Sequence, residues 1–266
     1  MEIKKTVQKK IIRLRGAGRE EIEDLVVVEA PVTIYVNGSE LVTLLCTPEK
    51  IDCLALGFLR SEGLLGSIDD VASIRVKEEG LVEVDLKSDT GLAEKLYGKR
   101  TITSGCGKGT VFFNVLDSLR SSPLEGNLMI SPDRVLFLMD SLQEKAELYK
   151  STGGVHSAAL ADSEKILYFC EDIGRHNAID KIIGESLLAG IKTDDKIIVS
   201  SGRLSSEILL KAAKLKIQLL ISRAAPTSLS IELADSLNIT LVGFVRGKRI
   251  NIYTNGWRID RGLNAE

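Results

Sequence analysis

From residue 156 to residue 245 the chain alternates short apolar runs with amphipathic segments of helical length. No other feature of its 266 residues constrains the fold as much. The runs 156–161, 166–170, 196–199, 218–222 and 240–245 read as strands, and the segments 177–188, 206–215 and 228–237 as helices between them. Strands alternating with helices in this way predict an α/β layer with substantially parallel pairing, and such sheets bind ligands where strand ends meet loops. The segments 171–176, 200–203, 223–227 and 246–249 each follow a predicted strand, so they are expected to converge on one rim.

The first half reads differently. Residues 1–20 are basic and irregular. Runs at 26–28 and 32–36 read as strands, and Asn37-Gly38 turns the second of them into a partner at 41–45. Thr47-Pro48 gives a polar cap with proline at the first helical position, opening a helix whose apolar spacing from Ile51 through Leu59 carries it to about Gly63. Residues 73–76 and 81–86 form another hairpin. The stretch 101–110 is too rich in Gly and Ser for an element interior and is expected to be a loop. Ser131-Pro132 opens a helix running to about Lys150, stopped by Gly153-Gly154. The chain thus divides into an N-terminal α+β region over 1–130 and a larger α/β domain over 131–266.

Composition narrows the function classes. With 44% hydrophobic and 27% charged residues the chain is neither disordered nor a coiled coil, and a net charge of −2 argues against bulk nucleic-acid binding. No run approaches the roughly 18–20 apolar residues that span a bilayer, and no apolar segment and cleavage site follow the N-terminal lysines, so the protein is expected to be cytoplasmic. GxxxxGK[ST], GxGxxG and GxSxG motifs are absent where they would carry weight, which disfavours a P-loop nucleotidase, a Rossmann dehydrogenase and a Ser-His-Asp hydrolase.

Four cysteines, at 46, 53, 106 and 170, form no CxxC pair and no zinc-like cluster. Cys106 is flanked by glycines and followed closely by Lys108, so its thiol is sterically open and a nearby cation favours the thiolate; a free cysteine in a glycine-rich turn is the plainer alternative. Cys46, Cys53 and Cys170 sit in apolar elements and read as core. The only two histidines, His156 and His176, lie beside glycines at element boundaries. His176 is crowded by Glu171, Asp172 and Arg175 and reads as functional, while His156 stays open between a ligand group and a structural hydrogen-bonder. The stretch Phe244-Val245-Arg246-Gly247-Lys248-Arg249 sets three cations beside a glycine after a strand. It suits a phosphate, although taken alone it reads better as a charged hairpin turn. Arg203 and Arg223 add cations to the same rim, and Thr227 or Ser228 could cap the helix that follows. Together these loops favour an anionic, phosphate-bearing ligand.

These residues also carry a family likeness. The stretch from Glu171-Asp172-Ile173-Gly174-Arg175-His176-Asn177 to Asp180-Lys181, with Thr152-Gly153-Gly154-Val155-His156, Ser201-Gly202-Arg203, Ala225-Pro226-Thr227-Ser228-Leu229, Val242 to Gly247, Thr47-Pro48 and Gly57 to Gly63, resembles the formate dehydrogenase accessory sulfurtransferase family. The resemblance spans nearly everything beyond residue 20. It implies a homodimeric sulfur carrier that takes sulfur from a cysteine desulfurase as a cysteine persulfide. The sulfur then passes to the molybdenum or tungsten bis(molybdopterin guanine dinucleotide) cofactor before that cofactor enters formate dehydrogenase. By position, Cys106 would carry the persulfide and residues 244–249 would bind the cofactor, with His176 and Arg203 in the same pocket. No resident metal is implied.

The family's larger domain is similar to the cytidine deaminase fold, a three-layer α/β/α sandwich. The zinc-deaminase signature is missing, since His156-Ser157-Ala158 lacks the catalytic glutamate and no PCxxC pair occurs. One departure matters more. Many members have CxxC in the glycine-rich loop, but here its first position is Thr103, which puts an internal-disulfide mechanism in doubt. A chaperone that binds and delivers the cofactor without using a thiol is the alternative.

Overall fold

The computed structural model describes residues 4–88, 101–102, 110–111 and 123–260. Its centre is a six-stranded sheet in the order β10-β9-β11-β12-β13-β14. These strands are β9 (His156–Ala161), β10 (Ile166–Asp172), β11 (Ile197–Ser200), β12 (Leu219–Ser222), β13 (Thr240–Arg246) and β14 (Arg249–Ile252). Parallel pairing is confined to β11-β12-β13; β9, β10 and β14 join antiparallel, which makes the sheet mixed. Alternate side chains bury both faces, so the central strands are apolar throughout. Ala158, Leu160, Ile198, Leu220 and Leu241 pack under α4 (Arg175–Leu188), α5 (Ser206–Lys214) and α6 (Ser228–Ser236). Ala159, Ile197, Val199, Leu219 and Val242 pack against α2 (Pro132–Lys145) on the other side. The result is three layers, helix on sheet on helix.

A second sheet, ordered β4-β3-β6-β5, is built from β3 (Ala30–Val36), β4 (Ser39–Cys46), β5 (Val71–Lys77) and β6 (Leu81–Leu86). Asn37 and Gly38 both have positive φ, the geometry that a two-residue hairpin between right-twisted strands requires. One face of this sheet is covered by α1 (Ile51–Glu62), which Gly63 ends in the left-handed conformation. The other face of α1 lies on α4 at backbone contact. A Cβ on Gly57 would stand 1.7 Å from the Asp180 carbonyl oxygen, and one on Gly184 would stand 1.9 Å from that of Cys53. Lys211 Nζ meets Asp180 Oδ2 at 2.5 Å across this buried seam, and Ser61 Oγ donates to Asp180 Oδ1 at 2.7 Å.

Three expectations need correction. Residues 1–20 are not irregular: β1 (Thr6–Arg15) and β2 (Gly18–Val27) form a ten-pair antiparallel ribbon. Its cross-strand partners include Lys9 with Asp24, Lys10 with Glu23 and Arg13 with Glu20, so charge pairing takes the place of the apolar alternation that signals a strand. Thr47 does not cap α1, whose N-cap is Lys50; Thr47 is fully buried and bonded to Asp172. The helix expected from Pro132 to Lys150 breaks at Ala146, and a short helix α3 (Glu147–Thr152) follows it. The buried Glu171 carboxylate accepts the backbone N–H groups of Leu148 at 2.9 Å and Tyr149 at 2.9 Å, so the break is set by a strand far along the chain.

Candidate functional site

The loops after the parallel strands are tied to one another through their backbones. Arg223 N donates to the Ser200 carbonyl at 3.1 Å, Leu204 N to Ala225 at 3.1 Å and Phe244 N to Ala224 at 3.1 Å, while Ser201 N reaches back to Ser157 at 2.9 Å. They close one side of a pocket of about 620 Å³, within the roughly 300–1,000 Å³ of small-molecule sites. Its cations are Arg223, Arg246 and Lys150, and no carboxylate lines it among the described residues. His156, Ser157 and Ser201 supply hydrogen-bonding groups; Met139, Leu142 and Tyr149 give an apolar wall.

Arg246 reaches the pocket because β13 is irregular there. The register shifts between Gly243 and Arg246, and Phe244 has φ 51°, a backbone state that bulky residues rarely adopt. The bulge sends Val245 into the core at 1% exposure and lays the Arg246 guanidinium on the Arg223 carbonyl, Nε donating at 3.0 Å. The Val245 side chain is therefore a packing group, and only its backbone faces the rim. Gly247 and Lys248 make a two-residue turn into β14, with Gly247 at φ 55°. Arg249 leans on the Phe244 ring, 4.9 Å from its centroid, and bonds Asn251. Of the stretch 244–249, Arg246 alone lines the pocket; the rest forms the charged hairpin that carries it.

The two histidines part company. His156 lines the pocket, and its Nδ1 lies 3.5 Å from Ser201 Oγ. Burial, then the electrostatic influence of Arg175, His176 and Arg203, push its pKa below the usual 6.5, with Asp172 opposing them, so the ring is neutral at pH 7. His176 lies outside the lining; its Nε2 is 3.0 Å from Glu207 Oε2 on α5. Arg203 is exposed in the loop beside Ser201 and acts on His156 by its charge without lining the pocket.

Cys46, Cys53 and Cys170 are buried, and burial first of all pushes each thiol up to about 12, so none is a nucleophile near neutral pH. Strands β7 (Thr101–Ile102) and β8 (Thr110–Val111) pair antiparallel, and Cys106 between them lies outside the described residues, as does Thr103. Among the described residues no group of three or more His, Cys, Asp or Glu could hold a metal ion, and no helix is long and apolar enough to cross a membrane.

Lys150, Tyr149 and Gln143 were not singled out by sequence. Their place depends on the break at Ala146 and on Glu171, which no local pattern reveals. Thr227, by contrast, caps α6 in a reciprocal box with Ser230, as its position in the sequence suggests.

Known proteins are similar to this chain over nearly its whole length. A crystal structure from Desulfotalea psychrophila, of a protein provisionally named a formate dehydrogenase accessory protein, superposes with a TM-score of 0.79 at 25% identity, covering 96% of this chain and 99% of that one. The sulfur carrier protein FdhD of Bacillus subtilis is 45% identical over 260 residues, 97% of this chain and 99% of its own length. Its counterpart in Listeria monocytogenes is 46% identical over 253 residues, 94% and 97% of the two chains. The FdhD/NarQ family model matches residues 27–260, which takes in both sheets, the seam between α1 and α4 and every residue of the pocket, and the chain belongs to that family.

Proposed function

We propose that this protein accepts sulfur from a cysteine desulfurase as a persulfide on Cys106 and passes it to the molybdenum or tungsten bis(molybdopterin guanine dinucleotide) cofactor. The recipient is formate dehydrogenase, and the carrier works as a cytoplasmic homodimer. The observation that carries this reading is the pocket: Arg223 and Arg246 at the ends of parallel strands, Lys150 from α3 and the neutral imidazole of His156, with no carboxylate in the lining among the described residues, suit the phosphates of one guanine nucleotide. Arg223 and Arg246 approach from neighbouring loops and can hold a diphosphate from one side. The apolar wall of Met139, Leu142 and Tyr149 suits the flat base.

The thiol chemistry follows from the cysteine inventory. With three cysteines buried, Cys106 is the one candidate for a persulfide, and Thr103 supplies no second thiol beside it. An internal disulfide would release the sulfur as sulfide; a lone persulfide instead gives up its terminal atom as neutral sulfur. The acceptor donates an electron pair to the outer sulfur, the S–S bond breaks, and its electrons return to Cys106 as a thiolate. The carrier therefore ends each cycle as a thiol and needs no reduction.

Incubation with an active desulfurase and cysteine should add about 32 Da, one sulfur, to the wild-type protein and nothing to Cys106→Ala. The same variant should bind GDP normally and yield no active formate dehydrogenase. Full maturation by Cys106→Ala would leave a cofactor chaperone as the function.

A further inference from the structure

One wall of the pocket has a polarity that the phosphates do not explain. Met139, Leu142, Gln143 and Ala146 line it from α2 and its C-cap at the spacing i, i+3, i+4, i+7, a single stripe of the helix. Met139, Leu142 and Ala146 are buried and apolar, and Gln143 stands half-buried among them. Beside the stripe α3 presents Tyr149, an aromatic ring of the lining that is 49% exposed. An apolar stripe next to an open ring is a slot for a flat base, and a polar group set in the stripe is placed to meet the edge of that base.

The Gln143 amide offers that edge an acceptor. Its Nε2 donates to the Met139 carbonyl, one turn back, at 3.4 Å. The opposite orientation would set two oxygens against each other, so the way the amide faces is fixed. Among the described residues Oε1 accepts no hydrogen bond. Arg223, Arg246 and Lys150 can only donate, and Ser201 Oγ already accepts from Ser157 N at 2.9 Å. On guanine the N1–H and 2-amino groups lie side by side, and one carbonyl oxygen accepts from both. Adenine sets the N1 lone pair beside its 6-amino group, so the same oxygen gains one bond and faces an acceptor. We infer that Gln143 is the specificity-determining residue for the base: its carbonyl oxygen selects a guanine over an adenine nucleotide by accepting from N1–H and the 2-amino group. This rests on the nucleotide reading above. An amide does so without the negative charge of a carboxylate, which would oppose the phosphates held by Arg223 and Arg246.

The test is calorimetry on the full-length protein with GDP, IDP, ADP and pyrophosphate, for wild type, Gln143→Met and Gln143→Glu. Wild type should bind GDP about tenfold more tightly than ADP, with IDP, which keeps N1–H and lacks the 2-amino group, between them. Gln143→Met nearly conserves volume and removes the acceptor, so GDP should weaken about tenfold, to the level of ADP, while pyrophosphate is unchanged. Gln143→Glu should weaken all four ligands by its charge and still hold GDP above ADP. Equal affinity of wild type for GDP and ADP overturns the inference, as does a preference for GDP that survives in Gln143→Met or vanishes in Gln143→Glu. A loss in Gln143→Met that extends equally to pyrophosphate overturns it too, because it marks a change in pocket shape alone. Failure of wild type to bind GDP at all would sink the nucleotide reading instead, and that control is read first.

Discussion

Two regions of this protein are rich in charge and use it in opposite ways. Along the seam between α1, α4 and α5 the buried charges are matched: Lys181 with Asp172, Lys211 with Asp180. Even Lys214, which burial holds down to a pKa of about 8, donates to the Ser61 carbonyl at 2.6 Å. On the pocket rim Arg223 and Arg246 are exposed, and among the described residues no acid stands in the lining to answer them. Matched buried charge specifies how elements dock, whereas an unanswered cationic surface is an offer to a ligand. The difference separates architecture from function within one short motif, since Asp172 belongs to the seam and Ile173 to the pocket.

The contrast breaks first at the seam. Lys211→Ala strands the Asp180 carboxylate in a buried site with Ser61 as its remaining partner, and should cost about 3–5 kcal/mol of stability in a denaturant titration. A loss no larger than that of an ordinary surface substitution would mean that water reaches Asp180 and that the seam is less closed than its geometry implies.

At the rim the expected effects reverse. Arg223→Ala or Arg246→Ala should leave the melting temperature nearly unchanged, because both side chains are exposed, yet weaken GDP binding by about 1.5–3 kcal/mol in calorimetry. Unchanged affinity in both variants would remove the rim from the nucleotide site. The corresponding loss from Lys248→Ala alone would move the site onto the hairpin turn.

How much of this was legible follows the same divide. Strand ends can be read from apolar runs and their breakers, so Arg223 and Arg246 stood out as residues of loops bound to meet, whereas His156, at the start of a strand, stayed open between a ligand group and a structural hydrogen-bonder. The seam could not be read, because the contacts that close it, such as Thr47 with Asp172 and Ser61 with Asp180, join residues more than a hundred positions apart. Thr47 before proline imitates a helix cap and is in fact a ligand of Asp172. Gly57 and Gly184 look like weak points in helices and are where two backbones touch. The ribbon β1-β2 was missed for a related reason: its strands are held by cross-strand charge pairs, which a search for apolar alternation passes over.

The smallest effect tests whether the rim is electrostatically unanswered even at its imidazole. His156 is neutral because it is half-buried and faces Arg175, Arg203 and His176, with Asp172 opposing them. Its folded pKa lies below the unfolded value of 6.5, so on acidification the unfolded chain takes up this proton first. The stability that the neutral ring confers is fully present above about pH 6.5 and is lost as pH falls from there through the folded pKa. His156→Gln removes that titration and keeps a hydrogen-bonding group beside Ser201. Relative to its own value at pH 7.5, the variant should therefore lose less than wild type on acidification to pH 5.5, by on the order of a degree in melting temperature. Equal losses would mean that an acid answers the imidazole after all. A larger loss in the variant would reverse the sign, with a protonated His156 stabilising the fold and the rim behaving like a second seam.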